Sequence, residues 1–185
     1  MTVTTGHGDT FQAPIPAEAL ADLIRALPDE PEYRSIFDQV ARHPAMRVRV
    51  VVAQMDNLSA DVVLRLADDP SADVRRQLVS SRALHGLADN ELVSRLIASD
   101  PTVADAVAEY LHDFRTCDVE QLEHDLARHP DPSVRLTLAR NGQVSDRTLA
   151  RLARDHDPSV ASAASDQLGT RLLRCCPEVD AGAGN

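Results

Sequence analysis

The chain has 185 residues, 29 acidic against 19 basic side chains, a formal net charge of −10, and Arg at every basic position. That balance argues against duplex DNA, RNA or an anionic membrane as partner, because phosphate binding rests on clustered positive charge. The lack of Lys excludes any mechanism that needs one, such as a Schiff base or a P-loop Lys. Hydrophobic residues make up 43%, but aromatics only 3% with no Trp, so the core has to be built from Leu, Val, Ile and Ala in thin layers.

Residues 1–13 show neither a basic start nor an apolar run, so no signal peptide is read there, and the segment is expected to be disordered. No stretch approaches the ~18 apolar residues of a membrane span. The three cysteines, Cys117, Cys175 and Cys176, form no disulfide framework, which points to a reducing, cytoplasmic setting. Adjacent cysteines rarely close a relaxed disulfide, so Cys175 and Cys176 read as incidental rather than as a redox or metal site.

Residues 14–42 read as N-terminal capping helices. Leu20, Leu23, Ile24 and Leu27 fall at i, i+3, i+4 and i+7, giving an amphipathic helix over 17–27. Tyr33, Phe37 and Val40 give the next helix a similar face.

From 36 to 172 one pattern recurs: "VARHPAMRVR" at 40–49, "LADDPSADVR" at 66–75, "LARHPDPSVR" at 126–135 and "LARDHDPSVA" at 152–161, with a weaker fifth copy, "SDPTVADAV", at 99–107. Aligned on Val they give Val48, Val74, Val103, Val134 and Val160, at spacings of 26, 29, 31 and 26. Three residues before each Val stands a helix-capping type, Ser71, Asp100, Asp131 or Asp157; only Ala45 breaks the rule. Pro101, Pro132 and Pro158 follow their caps, at the first helical position, where a missing N–H costs nothing. Four residues before the cap lies Ala41, Ala67, Ala127 or Ala153, small enough for two helices to cross closely. "RVRVVVAQM" at 47–55 reads locally as a strand, but its aligned copies read as helix, and register is expected to prevail.

Each unit also holds a second helix. Between Val134 and the next cap, Asn141-Gly142 stops one helix, Ser145 caps the next, and Leu149, Leu152 and Ala153 line one face. Neither helix can bury its stripe alone; stacking neighbours does. The expected fold is all-α, about five two-helix repeats over 36–172 as a single domain, with a flexible tail at 173–185.

The stretch "LARNGQVSDRTLARLARDHDPSV" at 138–160 resembles the leucine-rich repeat variant and, more broadly, the HEAT-like α-solenoids. The resemblance is specific around Val74, Val134 and Val160 and poor around Val103. It implies a right-handed solenoid of α-helices alternating with shorter, often 3₁₀, helices, and no single activity. An iron–sulfur segment precedes the repeats in some members; residues 1–45 contain no Cys, so it does not carry over.

His43 and His129 occupy one repeat position, which Asp69 and Asp155 fill in other units. The two histidines are not in adjacent units, so turn-capping fits better than metal ligation. Arg49, Arg75 and Arg135 follow the Val and could grip carboxylates of a partner; the plainer reading pairs each with the Asp of a neighbouring turn. Residues 88–130 hold ten acidic residues and three Arg. There Asp105, Glu109 and Asp113 run at i, i+4 and i+8 on one expected helix face, either merely solvated or a docking face for a basic partner. His112 beside them could make an acid–base cluster, but nothing marks a nucleophile. This third unit also has longer flanking spacings and Ala104 where three units have Arg.

The function read from these residues is a non-enzymatic protein-interaction module with no catalytic residue, metal or cofactor. Its expected partner is another protein, one with a basic surface fitting best, not nucleic acid or membrane. The alternatives are an acidic neutraliser, such as an immunity protein or nucleic-acid mimic, and a HEAT-like enzyme related to DNA glycosylases or bilin lyases.

Overall fold

The computed structural model describes residues 2–4, 10–12 and 15–175. The first of these form two three-residue strands, β1 (Thr2–Thr4) and β2 (Thr10–Gln12), antiparallel with Val3 opposite Phe11. Thr, Val and Phe suit a pleated pair, so part of the segment expected to be disordered carries regular structure. Everything after Pro16 that has regular structure is helical.

The chain divides into two compact units, Met1–Leu87 and Ala88–Asn185. The division falls inside the stretch 36–172 expected as one domain.

The first unit contains α1 (Ala17–Ala26), a 3₁₀ turn (Pro31–Tyr33), α2 (Arg34–Val40), α3 (Met46–Ala53), α4 (Ala60–Ala67), α5 (Ala72–Val79) and α6 (Arg82–Leu87). Helices α1, α3 and α5 pack side by side, and α4 packs on α5 and α6. On α1 the buried stripe is Ala21 and Ile24, while Leu23 is 52% exposed. Leu23 therefore lies off the face expected for it. Helix α3 is helical in spite of its β-branched run, because Val48, Val51 and Val52 fall at i, i+3 and i+4 and are all buried. Packing of that stripe outweighs local propensity, which spans less than 1 kcal/mol per residue. Turns are tied to one another by polar rungs. The Asp29 carboxylate accepts the N–H groups of Asp56 and Asn57, and Asp56 in turn accepts the N–H of Arg82 at 2.8 Å.

The second unit contains α7 (Asn90–Ser99), α8 (Pro101–Glu109), a 3₁₀ turn (Leu111–Asp113), α9 (Val119–Leu126), α10 (Pro132–Arg140), α11 (Asp146–Leu152) and α12 (Pro158–Cys175). Helix α10 lies between α8 and α12, α7 packs on α8 and α9, and α11 packs on α12. The caps form as expected where the cap is Asp: Asp100, Asp131 and Asp157 accept the N–H groups of Thr102, Ser133 and Ser159, each at 2.8 Å. Ser71 stands at the cap position of α5 but makes no side-chain cap bond. Ser145 caps α11 through the N–H of Thr148, and its own N–H and hydroxyl are held by the buried carboxylate of Glu123. Residues 173–175, expected in the tail, belong to α12; the remainder of the tail, Cys176 included, lies outside the described residues.

Val48, Val74, Val103, Val134 and Val160 are all fully buried, on α3, α5, α8, α10 and α12. No helix among the described residues is long and apolar enough to cross a membrane.

Candidate functional site

The repeat position shared by His43, Asp69, His129 and Asp155 does one job in four places. Each side chain accepts the N–H two residues ahead: His43 Nδ1 from Ala45, Asp69 Oδ1 from Ser71, His129 Nδ1 from Asp131, and Asp155 Oδ1 from Asp157, over 2.9–3.2 Å. These are turn caps. No group of three or more His, Cys, Asp or Glu able to hold a metal ion occurs among the described residues.

Two of the three arginines that follow the Val close onto this position. Arg49 donates to Asp69 from Nε at 2.6 Å and from Nη2 at 3.0 Å, and its Nη1 donates to the carbonyls of His43 and Pro44. Arg135 repeats every one of these bonds with Asp155, His129 and Pro130. The planar fork suits this geometry, which an ammonium group would not reproduce. The second pair is the more deeply buried, with side chains 4% and 8% exposed. The hydrogen bond to Arg135 holds the Asp155 carboxyl below its ordinary range, and the same bond raises Arg135. Both arginines are thus turned inward, onto their own chain. Arg75 donates to the carbonyl of Asp69, the same reach back over six residues.

The acidic trio is not one face. Helix α8 ends at Glu109, the backbone leaves helical geometry at Tyr110, and Asp113 sits in the separate 3₁₀ turn. Burial of Leu111 and Phe114 requires that tighter turn. Asp105 is half-buried and accepts the hydroxyl of Thr137 on α10. Ala104, in the place of the usual Arg, is buried. The Nδ1 of His112 is buried without a partner among the described residues. Burial pushes the Cys117 thiol up, towards the inert protonated form.

A different place gathers side chains facing solvent. Between the turn after α9 and helix α11 lies an open groove of about 850 Å³. Its apolar lining is Ala127, Pro130, Ala150 and Leu152, and His129 and the Arg135–Asp155 pair also line it. Arg128, Arg147, Arg151, Arg154 and His156 line it as well. Arg147 meets Glu120 at 3.1 Å in a largely exposed pair, of the kind worth about 0–1 kcal/mol. The guanidinium groups of Arg128, Arg151 and Arg154 have no hydrogen-bond or ion-pair partner among the described residues. Five arginines thus face a single aspartate, and Arg135 already engages it.

The sequence carries half of this groove's signal: in "DRTLARLAR" the arginines fall at i, i+4 and i+7. Comparison of the chain with protein-family models, with curated proteins and with solved structures finds no match.

Proposed function

We propose that the chain is a non-enzymatic α-solenoid module of about five repeats, related to the leucine-rich repeat variant, that binds another protein. The recurring Val register, the turn caps and the twice-built Arg–Asp clip support the repeat reading, since each serves to join one helix–turn–helix to the next. The observation that carries the binding reading is the groove beside α11. There three arginines without a partner among the described residues share the lining with the Arg135–Asp155 clip of the repeat frame. A cluster of exposed like charges does nothing for folding, so its use lies outside the chain.

Quantitative co-purification from the source cell tests this reading. Wild-type chain is compared with a variant carrying Arg128→Glu, Arg151→Glu and Arg154→Glu. A stoichiometric protein partner present with the first and lost with the second is the expected result. A partner retained equally by both, or a bound small molecule in place of a protein, overturns it.

A further inference from the structure

The net charge suggests a basic partner, and the groove suggests the opposite. We propose that the groove beside α11 docks an extended acidic segment of a partner protein, a stretch in which carboxylates alternate with small or branched apolar side chains. This rests on the interaction-module reading and adds the chemistry of what is bound.

Three observations converge. First, the repeat does not require the charge. The segment around α4 aligns with that around α11 without a gap at an offset of 86, and the places of Arg147, Arg151 and Arg154 are taken there by Asp61, Arg65 and Asp68. Arg147 and Arg151 lie at i and i+4 on α11 and oppose one another, and Arg154 follows in the turn after it, so the two arginines that stand in the places of Asp61 and Asp68 are a local addition to a frame that folds with mixed charge. Second, the groove is open rather than enclosed, and its lining sets exposed Pro130 and Ala150 among the arginines. An extended chain can lie along such a lining with its apolar side chains against Pro130 and Ala150 and its carboxylates towards Arg128, Arg151 and Arg154. The guanidinium fork receives a carboxylate through two hydrogen bonds. Third, the positive patch is small and bounded. The neighbouring hollow shares Arg147 and Arg151 but is completed by Asp118 and Glu120, and exposed Asp146 opens α11. A long polyanion would run into these within a Debye length of about 8–10 Å. A short segment of two or three carboxylates fits inside them. Bare phosphate would leave the apolar base unused.

The test uses the full chain and fluorescence anisotropy of a labelled twelve-residue peptide, three repeats of Glu-Ala-Asp-Leu. A peptide with Lys at every acidic position is the counterpart, and inorganic phosphate and twelve-nucleotide oligothymidine are competitors. The acidic peptide is expected to bind, more weakly as salt rises, and the Lys peptide not to bind. Arg151→Glu with Arg154→Glu should weaken binding by at least about tenfold, the equivalent of one good charge-assisted contact. Arg128→Glu, in the turn after α9 and off α11, should weaken it too, so the outcome does not hang on the folding of one helix. Arg65→Glu, the aligned residue of the first unit, should leave affinity unchanged. No binding of the acidic peptide overturns the inference. So does binding that survives both sets of variants with helical circular dichroism intact, or displacement by oligothymidine at lower concentration than by unlabelled peptide. If the acidic peptide fails while a cellular protein partner is still lost on charge reversal, the module reading stands and this inference alone falls.

Discussion

Residues 40–74 and 126–160 are built on one frame. Ala41, His43, Pro44, Val48, Arg49, Ser59, Leu66, Ala67, Asp69 and Val74 of the first recur as Ala127, His129, Pro130, Val134, Arg135, Ser145, Leu152, Ala153, Asp155 and Val160 of the second. The shared residues are those that fill the layer or tie one turn to the next: buried Val and Leu, the turn-capping His and Asp, the bidentate Arg. The differing ones are mostly exposed. Asp61 becomes Arg147, Leu64 becomes Ala150 and Asp68 becomes Arg154. The comparison separates two kinds of arginine that sequence alone presents as equals. Arg49 and Arg135 are structural because a carboxylate and two carbonyls of their own chain take four hydrogen bonds from each. Arg147 and Arg154 stand outside the frame, where the other copy has Asp61 and Asp68, while Arg151 recurs as Arg65.

The ion pairs give the comparison its largest test. Removing one partner of a buried pair strands the other, at a cost of roughly 3–5 kcal/mol. Asp155→Ala should approach that figure. Asp69→Ala should cost less, because Arg49 is 13% exposed where Arg135 is 4% and water can recover part of the loss. Denaturant titration of both variants checks the order; equal costs would show that the difference in burial has no energetic weight. The deeper pair also predicts a pH dependence. Asp155 titrates below its unfolded value of about 3.9. Its contribution is therefore complete above that pH and is lost as pH falls through the folded value. Asp155→Asn should flatten the fall of stability between about pH 5 and pH 2. An acid limb as steep as that of the wild type would assign it to other carboxylates.

The shared Val comes next. Val48 and Val134 are both fully buried at one register, so Val48→Ala and Val134→Ala should each cost roughly 1–3 kcal/mol and agree with each other. A large disagreement in denaturation midpoints would mean that the two layers pack differently despite their common pattern.

What could be read in advance was what the chain repeats. The Val register, the Asp caps, the turn role of His43 and His129 and the pairing of Arg with a neighbouring Asp all follow from aligning copies. Helix α3 shows why alignment was the better guide: its Val-rich run looks like a strand until the register places Val48, Val51 and Val52 on one buried stripe. What could not be read depended on contacts far apart in sequence. The acidic run at Asp105, Glu109 and Asp113 looked like one helix face because helical spacing continues on paper, whereas Leu111 and Phe114 draw the backbone into a tighter turn. The groove combines α11 with Arg128 and Pro130 from the preceding turn, and nothing in either segment names the other. Leu23 was placed on a buried face by spacing alone, but the layer it would enter is filled by Ala21 and Ile24.

The smallest effect tests the one cap the frame lacks. Asp131 caps α10 through the N–H of Ser133, and the bonds to Ser133 hold its carboxyl below the ordinary range. At the aligned position, α3 begins after Ala45, which offers no side-chain acceptor. The backbone there is nonetheless ready for one. Ala45 has φ −75° and ψ 119°, Asp131 has φ −77° and ψ 123°, and His43 holds the N–H of Ala45 as His129 holds that of Asp131. Ala45→Asp should therefore place a carboxylate over the first turn of α3 without moving the chain. It should stabilise by about 0.5–1 kcal/mol through the cap and the helix dipole, read as a higher denaturation midpoint at unchanged slope. The gain should be complete above the ordinary aspartate pKa of about 3.9 and be lost as pH falls below it through the lowered folded value. A gain that persists at low pH would come from something other than the cap, and no gain at neutral pH would mean that the start of α3 differs from that of α10 in spite of matching dihedral angles.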